Sequence, residues 1–173
     1  KLTINVITRS RADLIPRVVD NLLEHIKNPT TTLMVSVDSD DETTQLALNL
    51  NGLDRHIHLS VKPREDSRGE KYDRALTEAP ADVYLAAVDT VLVHKPGFDN
   101  DILEAASIFP DGIGCVYTPL INASFPGYQA PTAKLVEKLG CIYSHDYPYW
   151  FIDHELDDIA RIINRIAVVD IRS

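Results

Sequence analysis

Short apolar runs alternate with segments of helical period along this chain, and most of the apolar runs stop in a cluster of polar side chains. Residues 2–7 alternate and then run apolar, as a central strand does, and end in Thr8-Arg9-Ser10-Arg11. From Asp13 onward Leu14, Ile15, Val18, Val19, Leu22, Leu23 and Ile26 recur at helical spacing. That spacing predicts a helix with Asp13 as its N-cap and Pro16 tolerated in its first turn. Asn28-Pro29-Thr30 breaks it, and a second β-branched run over 33–37 stops in Asp38-Ser39-Asp40-Asp41. Strand, helix and strand in this order predict a right-handed parallel crossover.

The alternation continues. Residues 43–50 read as a short helix, and Ile57, Leu59 and Val61 as a third strand. Residues 62–71, rich in charge and holding Pro63 and Gly69, read as a loop, followed by a helix over 72–79. Residues 83–88 form the most buried-looking strand and end in Asp89-Thr90. Beyond the turn at Lys95-Pro96-Gly97-Phe98-Asp99, a helix is predicted over 102–108 and a strand within 112–119. Residues 122–150 concentrate aromatics and prolines, among them Phe125, Pro126, Tyr128, Tyr143, Tyr147, Tyr149 and Trp150. These either cover a sheet face or form an acceptor-binding surface. Lys134 to Leu139 reads as a short helix stopped by Gly140. Asp153 then precedes a helix over 154–166, either as a plain N-cap or as a functional acid, and Val168, Val169 and Ile171 make a closing strand.

This pattern is that of an α/β protein with a mostly parallel central sheet, in which ligands bind at the carboxyl ends of the strands. The acids at 38–41 sit at such an end. One of Ser39, Asp40 and Asp41 caps the following helix, which takes one oxygen. Three carboxylates in four positions repel one another unless a cation, a base edge or ligand hydroxyls share the charge. The loop 62–71 is either a solvated connection or a place where Arg64, Arg68 or Lys71 meets an anion. Asp89 makes a third strand end that carries polar groups, so a converging site is predicted.

Composition narrows the function. The 173 residues, 45% of them hydrophobic, leave room for one sizeable core, so one domain is predicted over 1–173. A formal net charge of -9 argues against a nucleic-acid binder that relies on a broad basic face, while leaving room for a local phosphate site. No apolar run reaches the roughly 20 residues that span a bilayer, and the chain opens on a strand-like segment. A soluble cytoplasmic domain with no transmembrane segment is expected. Cys115 and Cys141 lack metal-ligand spacing and lie in apolar surroundings, which predicts buried reduced thiols rather than a disulfide.

Taken together, four stretches resemble the family 2 glycosyltransferases and their GT-A fold relatives. Val6-Ile7-Thr8-Arg9-Ser10-Arg11 is similar to the family's opening strand and loop, and residues 35–43 to its Val-Asp-Asp-Gly-Ser segment. Gly69-Glu70-Lys71-Tyr72-Asp73-Arg74-Ala75 stands where the family has a Gly-rich turn before a helix. Residues 83–98 are similar to its strand, acidic motif and Pro-Gly-aromatic turn, and Asp153 falls in a weaker match to the motif that opens its late helix. The resemblance implies a GT-A (Rossmann-like) three-layer α/β/α sandwich, with a nucleotide-binding part over about 1–98 and an acceptor side over about 99–173.

It also implies an inverting transfer of a sugar from a nucleotide-sugar donor, UDP-linked, to a glycan or other hydroxyl-bearing acceptor. Thr8 and Asp38 match positions that hold base and ribose, with Arg9 and Asp40 beside them, and Arg68 or Lys71 matches the region near the base or diphosphate. Asp89 matches the first acid of the DxD motif, which binds Mn2+ or Mg2+, and Asp153 the base that deprotonates the acceptor. The chain departs from the family at Val91, which stands where the second DxD carboxylate is expected and cannot ligate a metal; in a register shifted by one, Val88 replaces an acid instead. Asp89 could act with donor phosphate oxygens and waters, since Mg2+ keeps several waters, or His154 or His145 could complete a Mn2+ site; otherwise metal binding is weak, the site is metal-independent, or activity is lost. Two other readings compete: a catalytically weak GT-A-like module that binds nucleotide or glycan, and a nucleotidyltransferase. The latter calls for a glycine-rich loop after the first strand, and Thr8-Arg9-Ser10-Arg11 has no glycine.

Overall fold

A computed structural model of the chain describes residues 1–119 and 127–171. Phe125 and Pro126, expected in the aromatic segment, lie outside the described residues. The elements follow in the order β1 (Leu2–Ile7), α1 (Ile15–His25), β2 (Thr32–Asp38), α2 (Glu42–Leu50), β3 (His58–Lys62), α3 (Arg68–Glu78) and β4 (Val83–Val88). Then come α4 (Phe98–Ser107), β5 (Cys115–Thr118), β6 (Tyr128–Pro131), α5 (Ala133–Leu139), α6 (Ile152–Ile162) and β7 (Ile166–Val168).

Strand order is β3-β2-β1-β4-β6-β5-β7. The β3-β2-β1-β4 half is parallel throughout, β6 runs antiparallel to both β4 and β5, and β7 is parallel to β5. Side chains alternate across the sheet and divide the core in two. Leu2, Ile4 and Val6 of β1, Val35 of β2 and Leu85 of β4 pack in one buried cluster with Val18, Leu22 and Phe98 of the helices on that face. Met34, Tyr84 and Ala86 pack in the other, with Tyr72, Leu135 and Leu156 of α3, α5 and α6. The result is the expected three-layer α/β/α sandwich.

The face toward α3 also carries buried polar groups that fix that helix. Thr3 Oγ1 donates to Ala79 O at 2.7 Å, Asn5 Nδ2 donates to Tyr72 O at 3.1 Å, and Ser36 Oγ donates to Asn5 Oδ1 at 2.8 Å. Every one of these groups is shielded from water, so α3 has one well-determined position over β1 and β2.

Several boundaries differ from those read in the sequence. Helix α3 starts four residues before 72, because Ser67 and Glu70 form a reciprocal capping box that turns the last four residues of the supposed loop into helix. Neither Asp13 nor Asp153 is a cap: the N-caps are Leu14 and Phe151, without side-chain bonds, and Asp153 lies in the first turn of α6. Asn164, at φ 53, ends α6 before 166, so the last strand forms at Ile166–Val168, with Val169 and Ile171 buried behind it. Gly140 stops α5 in the left-handed conformation, as expected. Strand β6 lies unannounced within the aromatic segment. Cys115 is buried and Cys141 half-buried, both free thiols. Among the described residues, no helix is long and apolar enough to cross a membrane.

Candidate functional site

A cleft opens at the carboxyl ends of β1, β2 and β4. Its walls include Thr8, Arg9 and Arg11 after β1, Asp38 closing β2, Asp89 after β4, and Arg64, Arg68, Lys71 and Tyr149. Of the residues expected to bind a nucleotide, Thr8, Arg9, Asp38, Arg68 and Lys71 therefore converge, and Asp89 joins them. Asp40, Asp153 and His154 stand outside this wall.

The acidic strand end is neutralised largely from within the protein. Lys71 Nζ lies 2.5 Å from Asp38 Oδ1 and also donates to Thr8 O at 2.9 Å. Arg9 donates to Asp38 Oδ2 at 2.7 Å and grips Asp40 with two parallel bonds of 2.7 and 2.9 Å. Asp41 takes the capping duty, accepting from Thr44 N, and its other oxygen accepts from Ser10 N at 2.6 Å. Burial alone would raise the Asp38 carboxyl, but the Lys71 and Arg9 hydrogen bonds outweigh it and hold Asp38 below the usual carboxylate range. The same burial pulls the Lys71 ammonium below the usual lysine range, against the pull of Asp38. Arg9 holds Asp40 down to about 2.

Arg74, which sequence reasoning missed, completes this wall from behind. It lies one helical turn after Lys71 on the same buried face of α3, donates to Val37 O at 2.9 Å, and is held by Glu65 at 2.5 and 2.6 Å. Its spacing from Lys71 would have revealed it had α3 been read from Ser67. Tyr149 was also missed as a wall residue. Arg64 Nη2 donates to its hydroxyl at 2.5 Å, and the Arg68 guanidinium lies 5.4 Å from its ring centroid. The 141–151 segment is seated on α3 by Ile142 N and His145, both bonded to Asp73, and by Arg68 N donating to Pro148 O at 3.0 Å. Its aromatics divide: Tyr143 is buried against Tyr72, whereas Tyr147, Tyr149, Trp150 and Phe151 are exposed.

Asp89 accepts a 2.9 Å bond from the Thr8 hydroxyl, with Arg11 Nε at 3.9 Å. Asp153 lies in the first turn of α6, where its carboxylate accepts from the His154 ring at 3.1 Å and its carbonyl accepts from Gln129 of β6 at 2.9 Å. Burial pushes the Tyr72 phenol up, and its hydroxyl donates to Ala87 O at 2.9 Å.

Among the described residues the protein offers a divalent cation in the cleft one carboxylate of the DxD pattern, Asp89, and no complete ligand set of its own. Val91 is 1% exposed and packs in the core, so position 91 faces away from the cleft. His145 is engaged by Asp73 and His154 by Asp153. Among the described residues, no three His, Cys, Asp or Glu side chains come together as ligands.

No family model matches the chain, and no curated protein does. Solved structures do. The mannosyltransferase PcManGT of Pyrobaculum calidifontis, in complex with GDP-Man and Mn2+, superposes with a TM-score of 0.79 at 14% identity over 98% of this chain and 54% of that one. Glucosyl-3-phosphoglycerate synthase of Mycobacterium tuberculosis, with Mn2+, UDP and phosphoglyceric acid, gives 0.72 at 14% identity over 99% and 69%. A cytidylyltransferase of Leptospira borgpetersenii gives 0.63 at 13% over 98% and 74%. This protein has the GT-A fold of nucleotide-sugar glycosyltransferases. The chain spans about half the length of the mannosyltransferase it matches.

Proposed function

We propose that this chain is a glycosyltransferase domain that moves a sugar from a nucleotide-sugar donor, UDP-linked, to an acceptor hydroxyl with inversion. The observation that carries the reading is the cleft itself. In the GT-A fold, at the carboxyl ends of three parallel strands, it gathers Thr8, Asp38, Lys71, Arg68 and Asp89 from separate parts of the chain. Asp38, held rigid by Lys71 and Arg9, backs the nucleoside side of the cleft, and Thr8 links Lys71 to Asp89 through its carbonyl and its hydroxyl. Arg64 and Arg68, braced on Tyr149, face the diphosphate.

Asp153 acts as the base. The acceptor oxygen bonds to the anomeric carbon from the face opposite the leaving group, its proton passes to the Asp153 carboxylate, and the bond from that carbon to the phosphate oxygen breaks. The nucleoside diphosphate departs with the electron pair. The exposed run from Tyr147 to Phe151, next in sequence to Asp153, is the acceptor side.

The burial of Val91 favours a second reading, a nucleotide-binding module without transfer. The test measures melting shifts with UDP, GDP and their sugar conjugates, then transfer or donor hydrolysis for each stabilising ligand. A ligand at 100 times its Kd should stabilise by about 2.7 kcal/mol. Asp153→Asn should keep donor binding and lose transfer by ~100-fold or more. Unchanged turnover removes Asp153 as base, donor binding without any turnover selects the module, and no stabilisation by any nucleotide rejects both.

A further inference from the structure

We propose that the cleft binds the donor's diphosphate through Arg11, Arg64 and Arg68, with no divalent cation. The inference rests on the nucleotide-sugar reading above and concerns how the charge of the leaving group is met.

The cations lining the cleft fall into two sets. Arg9 and Lys71 are consumed by Asp38 and Asp40. Arg64 and Arg68 have no carboxylate within 4.0 Å among the described residues; both are instead braced on one aromatic side chain, Tyr149, by its hydroxyl and its ring. Arg11 makes only a 3.9 Å contact with Asp89, and its side chain is 52% exposed. Three guanidiniums with donors to spare, gathered in one cleft of a chain of formal charge -9, form an anion site that the rest of the molecule does not use.

The metal alternative has a single protein carboxylate to work with, Asp89. The residue two after Asp89 is Val91, which sits beside Val93 and Phe98 in the core, while Val91 N donates to Val88 O at 3.1 Å to close the turn. In that turn position 91 is buried in the core, so the missing acid is a matter of backbone course as well as of residue type. The remaining carboxylate, Asp89, is tied to Thr8 and lies beside a guanidinium, which already supplies the positive charge a cation would bring. Arginine stays charged at any working pH and can grip a phosphate with two parallel bonds, so it stabilises the departing diphosphate without a second component.

The experiment is calorimetric titration of UDP and of GDP into the protein in EDTA and, separately, in Mn2+, repeated with Arg64→Ala, Arg68→Ala and the double variant. Melting curves establish that each variant is folded; both side chains are on the cleft wall, outside the two buried core clusters. The expected result is a Kd for one nucleotide that agrees within about 2-fold between the two buffers, and a loss of about 10-fold or more for each arginine removed. Binding that requires Mn2+ overturns the inference and leaves the glycosyltransferase reading standing. Undiminished affinity in a folded double variant also overturns it. Absence of UDP and GDP binding in both buffers overturns the inference and the reading together.

Discussion

Gly69→Ala opposes two effects of known sign at the entrance of the cleft. Gly69 is the second residue of α3, in ordinary helical conformation, and alanine there gains helix propensity of up to about 1 kcal/mol. Its Cβ, however, would stand 2.7 Å from Tyr143 O and 2.8 Å from Ser144 O, distances at which a backbone must move. That backbone is pinned on both sides, by Ile142 N and His145 on Asp73 at 2.7 and 2.8 Å, and by Arg68 N on Pro148 O. Overpacking against a fixed wall costs about 1–3 kcal/mol, and strained hydrogen bonds add to it, so the clash wins by about 1–2 kcal/mol. For a domain of this size the melting temperature should fall by about 3–6 °C. Moving the segment also carries Tyr149 away from Arg64 and Arg68, so UDP or GDP affinity should weaken in parallel. Differential scanning calorimetry with a nucleotide titration reads both. A higher melting temperature with unchanged affinity would mean that propensity dominates and that the 141–151 segment does not brace the cleft.

Lys71→Met removes the nearest partner of a carboxylate whose side chain is only 3% exposed, leaving Arg9 and, at 3.6 Å, Arg74. The cost should be about 3 kcal/mol by denaturant unfolding, and a loss below about 1 kcal/mol would show that the two guanidiniums suffice. Val91→Asp should destabilise the fold by at least ~3 kcal/mol and gain no Mn2+-dependent rise in melting temperature; such a rise would show position 91 turned toward the cleft. Asp38, Asp40 and Asp41 are held below their unfolded values, so the stability they contribute is present above about pH 4 and lost as pH falls through their folded values, for Asp40 toward about 2. Asp73, raised by burial, contributes in the opposite sense over its own window. Arg9→Gln should flatten the acid side of the stability profile measured by urea unfolding between pH 5 and pH 2, and an unchanged slope would refute the role given to Arg9.

The alternation of strands and helices was legible because β1, β2 and β4 are buried on both faces and read as apolar runs, as 33–37 and 83–88 do. The site was legible as a set of strand ends. What stayed hidden was long-range: Arg9 is 29 residues from Asp38, Lys71 is 33, and no periodicity carries such pairings. The start of α3 could have been read, since Ser67-x-x-Glu70 is a capping-box signature, but Gly69 and the density of charge spoke for a loop. Four-residue β6 was not legible, because an antiparallel strand of that length gains its stability from its neighbours β4 and β5 rather than from its own pattern. Phe151 as N-cap, at φ 74, breaks every local rule for a helix start. It does so in the aromatic run next to Asp153, where strain in a folded chain has to be held by its surroundings.

The acids at 38–41 first look like ligand groups, and their bonding assigns them mainly to architecture. Ser10 occupies the left-handed region at φ 55, a conformation that a non-glycine residue holds at a cost of about 1 kcal/mol or more. Its N–H is fastened to Asp41 at 2.6 Å, Arg11 N donates to Thr44 Oγ1 at 3.3 Å, and Arg9 is clamped by Asp38 and Asp40 on the other side. The three carboxylates, with the Thr44 hydroxyl, thus fix every residue from Arg9 to Arg11, and this fixed turn carries the Arg11 side chain to Asp89 at the far side of the cleft. A cluster of negative charge at one strand end thereby positions a positive charge at another. An overall acidic chain can keep guanidiniums free in this cleft because its carboxylates near the cleft are largely occupied with holding other cations in place.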